Sequence, residues 1–163
     1  MSIRFPESDA RVMGRSAAGV KGIGLGDGDY VVGLVRVPED AEADLLTVTE
    51  RGYGKRTPTT DYLVQSEDGH RRPQSRGGKG RRDIATSQRN GPVVGLQRVT
   101  DEDDLMLITY KGMIVRIQAA SVRRTGRATQ GVKLMNLKQG DRLVAVARVA
   151  ESDGTSQDNT DGA

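Results

Sequence analysis

Cysteine and tryptophan are both absent from the 163 residues. Without thiols there is no disulfide, no Cys-ligated zinc and no cysteine nucleophile, which accords with a reducing compartment. Aromatics make up 3% of the chain, Phe5 and four tyrosines, so a core has to be built from Val, Leu, Ile and Met. Hydrophobic residues reach only 35%, against about 45–50% in an ordinary globular domain with glycine included. No apolar run approaches the ~18 residues of a membrane span, and the N-terminus lacks a signal-peptide hydrophobic region. The chain is therefore expected to be cytoplasmic, with no membrane partner. Sustained 3.6-residue periodicity is also missing, which excludes a helix of more than about two turns.

What is abundant is glycine, 21 residues, and a chain rich in glycine and poor in helical period is a chain of turns and short strands. Charge is plentiful but unevenly placed. The formal net charge is +3, from 25 Lys+Arg against 22 Asp+Glu. The last stretch, 151–163, holds four acids and no base, and setting it aside leaves 25 against 18, a net of +7. With almost nothing apolar to bury, this tail is expected to be disordered. A basic body with an acidic tail points to a polyanionic partner, and the tail is expected to compete with that partner for the basic surface.

The chain repeats itself. At a shift of 112, Arg15-Ser-Ala-Ala-Gly-Val-Lys21 falls on Arg127-Ala-Thr-Gln-Gly-Val-Lys133, and Arg36-Val37 falls on Arg148-Val149. At a shift of about 61, Val31-Val-Gly-Leu-Val-Arg-Val37 meets Val93-Val-Gly-Leu-Gln-Arg-Val99, and Leu45–Thr49 meets Leu105–Thr109. Each copy reads as a lone strand (Tyr30–Val37, Val93–Val99, Leu143–Val149). In the first two copies a hairpin with a Gly-containing turn follows, Leu45–Thr49 with Tyr53–Thr57 and Leu105–Thr109 with Met113–Ile117. Units of about 50–60 residues that cannot bury both faces alone are stacked or set radially. The expected fold is all-β, a repeat of small antiparallel sheets forming a partial, about three-unit, propeller-like arc over residues 1–150. Unit bounds fall near 1–50, 51–110 and 111–150. Ile3-Arg4-Phe5 aligns with Val115-Arg116-Ile117, the second half of a hairpin, so the chain reads as a cut from a longer array. An exposed sheet edge and self-association are expected beside Ile3–Phe5.

The densest charge run is His70-Arg-Arg-Pro-Gln-Ser-Arg-Gly-Gly-Lys-Gly-Arg-Arg82. Glycines at Gly77, Gly78 and Gly80 let backbone approach a phosphate closely, while Arg71, Arg72, Arg76, Lys79, Arg81 and Arg82 supply charge and forked donors. Arg76, Gly80 and Ile84 align with Arg15, Gly19 and Ile23, and with Arg127, Gly131 and Met135. The run is therefore the elaborated form of a loop that every unit presents, and an arc of units would line these arginines along one edge, suited to a bent duplex.

These motifs resemble the C-terminal β-pinwheel domain of the DNA gyrase A subunit, over most of residues 3–150. The likeness rests on Gly52-Tyr-Gly-Lys-Arg56, the Gly-Arg-x-x-x-Gly-Val-Lys loops at 14–21 and 126–133, Val93-Val-Gly-Leu96, and Gln74-Ser-Arg-Gly-Gly-Lys-Gly80. The last is similar to the gyrase box, with Ser75 where a cation is usual. The resemblance implies an accessory that wraps double-stranded DNA around its rim, within an ATP-dependent enzyme that introduces negative supercoils. The implied partners are the gyrase A catalytic core and the gyrase B subunit, at the nucleoid. No catalytic residue, metal or cofactor is assigned to this chain. Expected DNA contacts are Arg15, Lys21, Arg71, Arg72, Gln74, Arg76, Gly77, Gly78, Lys79, Gly80, Arg81, Arg82, Arg127 and Lys133. The same motifs fit the related topoisomerase IV, and two other readings stand beside this one. One is an RNA-binding protein using an RGG-like loop, though it lacks aromatics for base stacking. The other is a propeller-like interaction scaffold.

The remaining motifs carry little. In Gly22-Ile-Gly-Leu-Gly-Asp-Gly-Asp29 the third glycine of a dinucleotide fingerprint would fall on Asp27 or Asp29, so a β-turn is the expectation. Gly77-Gly-Lys-Gly80 lacks the spacing and hydroxyl residue of a P-loop. Asp27 and Asp29 lack the downstream Glu of an EF-hand. No tyrosine has the surroundings of a DNA-cleaving one, and all four are read as packing residues. His70 is expected in a loop, and Asp101–Asp104 in a polar turn.

Overall fold

The computed structural model describes residues 1–38 and 42–149. The acidic tail expected to be disordered lies outside the described residues. Regular structure among the described residues consists of nine short strands and three one-turn 3-10 helices, Glu7–Asp9, Thr59–Tyr62 and Ala119–Ser121. The all-β expectation, with no helix beyond two turns, is met.

Two hairpins carry the fold. The first joins β1 (Asp44–Thr49) to β2 (Tyr53–Pro58) and pairs Leu46 with Arg56 and Thr47 with Lys55. The second joins β6 (Asp104–Thr109) to β7 (Ile114–Gln118) and pairs Leu105 with Ile117. Gly52 and Gly112 turn the two hairpins at φ of 76° and 83°, a region that L side chains rarely adopt. The short runs β3 (Val64–Gln65) and β4 (Arg71–Arg72) pair only with each other.

Each hairpin is completed by the lone strand that follows it in the chain. β5 (Val93–Val99) pairs with β1, and β9 (Leu143–Arg148) pairs with β6. The repeat extends to the irregularities: the register slips between Val48 and Thr49 in one sheet and between Ile108 and Thr109 in the other. In the first sheet β8 (Val132–Lys133) adds to the outer edge of β2, giving the order β5-β1-β2-β8.

One of the three expected lone strands does not form. Residues 30–37 have no strand conformation, and Tyr30, Val31 and Leu34 are exposed. The local pattern is the same as in Val93–Val99, so the difference is not in propensity. A strand exists only where another backbone takes up its N–H and C=O groups, and the hairpins that hold β5 and β9 each precede their strand. Among the described residues no hairpin precedes residue 30. The segment still lies beside β5. A methyl on Gly33 would meet Leu96 at 3.1 Å, and one on the equivalent Gly95 would meet Val146 at 2.9 Å. The V-V-G-L glycine is thus where each inner segment touches the next.

The core lies where the two larger sheets meet. Leu46, Val48 and Val99 come from the first sheet, Leu105, Leu107, Leu143 and Val146 from the second, and Ala119, Val122 and Met135 close the gap. β6 alternates as a half-buried strand does, whereas all six residues of β1 are buried. The far face of β1 is covered by the long connection from Thr59 to Asn90, and that connection carries the basic run.

Candidate nucleic-acid interface

Lys55 sets the floor of the basic region. On an antiparallel sheet Thr47, Lys55 and Thr57 share one face, the face turned from the core. The Lys55 side chain is fully buried. Its ammonium donates to Thr57 Oγ1 at 3.0 Å and to the carbonyls of Gly126 and Arg127 at 3.0 and 2.9 Å. Asp83 lies 3.8 Å away, accepts a hydrogen bond from Thr47 Oγ1 at 2.7 Å, and accepts another from the Tyr62 hydroxyl. Burial pulls the Lys55 ammonium below its usual range, against the opposing pull of Asp83. Loops from two successive repeats, 81–85 and 126–131, are thereby tied over one charged pair. Ala85 N–H donates to Thr129 O at 2.9 Å, and the fully buried Asn90 amide donates to Ala85 and Gln130 carbonyls.

The three repeat loops carry glycine at the same point. Gly19, Gly80 and Gly131 have φ of 82°, 70° and 79°. A methyl on Gly131 would stand 2.6 Å from Gly54 O of β2, and one on Gly80 would stand 2.2 Å from Ser2 O. The residues that follow both glycines form backbone contacts of the same kind, Val132 with Gly54 in the β2–β8 ladder and Arg81 with Ser2 in an antiparallel bridge. Gly19 meets nothing within 4 Å.

The expected contact residues divide into groups. Arg71, Arg81, Arg82 and Arg127 converge on one cavity of about 510 Å³, which Asp61, Leu63 and residues 126–129 also line. Lys79 and Arg82 are exposed, as are Arg15, Lys21 and Lys133. Lys133 sits over the Tyr53 ring at 5.9 Å, with Arg89 at 5.2 Å. Arg76 turns inward, donating to Asp9 O at 2.9 Å and Lys21 O at 3.0 Å. Gly77 N–H donates to Gly22 O and Gly78 O accepts from Gly24 N–H, both at 2.7 Å, so Arg76–Gly78 clip the 9–24 segment in place. Gln74 N–H donates to Arg4 O at 2.8 Å. Arg72 donates to the carbonyl of Pro73 at 3.4 Å.

Lys55, Tyr62 and Asp83 were not among the expected site residues. Strand alternation puts Lys55 and Thr57 on one face, but their burial depends on Asp83, 28 positions away in a loop. Tyr62 is buried, as a packing residue should be, and its hydroxyl completes the network, whereas Tyr30 and Tyr110, also expected to pack, are exposed. Asp27–Gly28 form a turn as expected, and Asp101–Asp103 close another, in which Asp103 accepts from Thr100 N–H at 2.7 Å. Asp104, expected in that turn, is instead the first residue of β6 and pairs with Gln118. Asp101 pairs with Arg56, whose guanidinium holds that carboxyl below the usual range.

Burial, reinforced by the Asp83 carboxylate, pushes the Tyr62 phenol far above its usual value, whereas the hydrogen bond from Arg89 holds Tyr53 below it. A raised folded-state value means that the contribution of Tyr62 to stability is complete below the unfolded value of about 10 and is lost as pH rises above it. Absorbance titration into alkali should show one phenol ionising only with unfolding, a step that Tyr62→Phe removes. Loss of an early-titrating phenol in that variant would mean that Tyr62 is solvated.

Two antiparallel sheets, each a hairpin completed by the lone strand that follows it, together with recurring glycine-cation loops, define a propeller-type repeat module with a basic face. The sequence model of the DNA gyrase C-terminal domain, beta-propeller, matches residues 1–38, 43–69, 72–100 and 103–150. The chain belongs to that family. It is 46% identical over 151 residues to the DNA gyrase A protein of Staphylococcus epidermidis (strain ATCC 12228 / FDA PCI 1200), covering 93% of this chain and 16% of the relative. With the DNA gyrase A protein of Staphylococcus aureus (strain NCTC 8325 / PS 47) it shares 45% over 158 residues, 96% of this chain and 17% of the relative. The chain thus spans about one sixth of the length of these relatives. Among solved structures, a DNA gyrase A C-terminal domain superposes with a TM-score of 0.76 at 28% identity, covering 88% of this chain and 45% of that one. The C-terminal domain of a DNA topoisomerase IV gives 0.74 at 26%, covering 88% and 42%. No helix among the described residues is long and apolar enough to cross a membrane.

Proposed function

We propose that the chain is a DNA-wrapping module of a gyrase A type protein, holding bent duplex on its repeat loops and acting at the nucleoid with the catalytic core and the gyrase B subunit. The observation that carries this reading is the equivalence of the loops at Gly80 and Gly131. The Gly131 loop rests on β2 and the Gly80 loop on the backbone of Ser2, and both carry arginines at the surface, Arg81 and Arg82 in one and Arg127 in the other. Phosphate is the ligand that such a row of cations recognises without reading bases. Bending a 20–30 bp site by 40–90° costs about 1–6 kcal/mol, and contacts repeated along the arc offset that cost.

A competition between duplex DNA, single strands and RNA at matched salt tests the reading. Duplex is expected to win irrespective of sequence. With 6–10 phosphate contacts its affinity falls by about 10³–10⁵ between 50 and 200 mM salt. Preference for RNA or single strands would put the RGG-type reading ahead. Relaxed circles closed by a nicking-closing enzyme in the presence of the chain should show a shift in linking number, which a mere electrostatic tether does not produce.

A further inference from the structure

The cavity between the two basic loops is lined by four arginines. Arg71 comes from β4, Arg81 and Arg82 from the loop after Gly80, and Arg127 from the equivalent loop of the next repeat. Among the described residues Asp61 is the only acid that lines it. Four arginines around one space against a single carboxylate leave an excess of positive charge there, which an anion in that space offsets. Two of the arginines are fixed in advance. Arg81 is half-buried and donates to Leu63 O at 2.6 Å, and Arg127, also half-buried, donates to Arg82 O at 3.4 Å. The backbone that carries Arg127 is gripped from below by Lys55. Arg71 and Arg82 remain exposed at the rim.

We propose that this cavity is a discrete, saturable phosphate-binding site spanning the junction of two successive repeats, distinct in kind from the diffuse charge of the surrounding surface. Guanidinium groups offer forked donors that match phosphate oxygens. Because Arg81 and Arg82 belong to one loop and Arg127 to the next, a phosphate held by all of them fixes the spacing of the two loops. The source of the phosphate is either a duplex backbone or a free phosphorylated molecule. The first case rests on the DNA-wrapping reading, and the second does not.

The probe is inorganic pyrophosphate, titrated calorimetrically into the whole chain at constant ionic strength, with duplex binding measured in parallel. The expected result is saturation at one site per chain. Arg71→Ala and Arg82→Ala should each weaken that site about tenfold, the value of one charged hydrogen bond, with unchanged thermal unfolding. Lys138→Ala removes the same charge from an exposed position outside the cavity and should leave binding within twofold. Equal weakening by Lys138→Ala, or titration without saturation, overturns the site while leaving duplex binding intact. If duplex displaces pyrophosphate, the occupant is a backbone phosphate. If both bind together, or pyrophosphate saturates the site of a chain that binds no duplex, the occupant is a free anion and the proposal stands without the wrapping reading.

Discussion

Asp83→Ala lowers the free energy of unfolding by about 3–5 kcal/mol in a urea titration, because removing one partner of a buried pair strands the other charge. The carboxylate lies 3.8 Å from the fully buried Lys55 ammonium and is the acceptor for Thr47 and Tyr62. Its loss leaves an ammonium satisfied only by a hydroxyl and two carbonyls, and leaves two hydroxyls in need of new partners. Lys55→Met costs stability as well, since the Gly126 and Arg127 carbonyls lose their donor. The double substitution should cost less than the sum, and the difference measures the coupling. A loss below about 1 kcal/mol for Asp83→Ala would mean that water reaches the pair, for which surface values apply. The consequence for function follows from place: this pair holds down the loop that presents Arg127, so weakening it should loosen the basic face before the whole fold is lost.

Replacing Arg15, Lys79 and Arg82 together by Ala should lower the slope of log K against log salt for duplex binding by about 2.7, at roughly 0.9 for each phosphate contact. Measured against 1 M salt, that is a loss of about 500-fold at 0.1 M. All three side chains are exposed, and they come from two different repeat loops. Arg76→Ala should behave differently. Its guanidinium is spent on the Asp9 and Lys21 carbonyls, so the variant should loosen the 9–24 segment, seen as faster amide exchange, with the salt slope nearly unchanged. If instead Arg76→Ala lowers the slope by about 0.9 and exchange is unaffected, the inward hydrogen bonds break when duplex binds. Should the triple variant keep both its slope and its linking-number shift, the duplex lies elsewhere on the chain.

Much of this architecture is present in local sequence. The pattern of Leu45–Thr49 and Leu105–Thr109, each followed by a glycine turn and a second apolar run, specifies two hairpins, since strand alternation and a positive-φ turn are properties of a few adjacent residues. The alignment of Arg76-x-x-x-Gly80 with Arg127-x-x-x-Gly131 likewise places two loops at equivalent points, because both glycines meet the same requirement of close backbone approach. Tertiary structure decided what depends on partners far along the chain. Val31–Val37 and Val93–Val99 read alike, yet only the second is a strand, because among the described residues only it has a hairpin to take up its backbone hydrogen bonds. Lys55 carries a charge that composition assigns to the surface, but Asp83 and the carbonyls of residues 126 and 127 hold it inside. Arg71, Arg81, Arg82 and Arg127 all sit in basic stretches, and nothing local says that they face one cavity while Arg76 faces the protein. Side-chain direction in a glycine-rich loop is set by what the loop packs on, and that surface is assembled from residues tens of positions away.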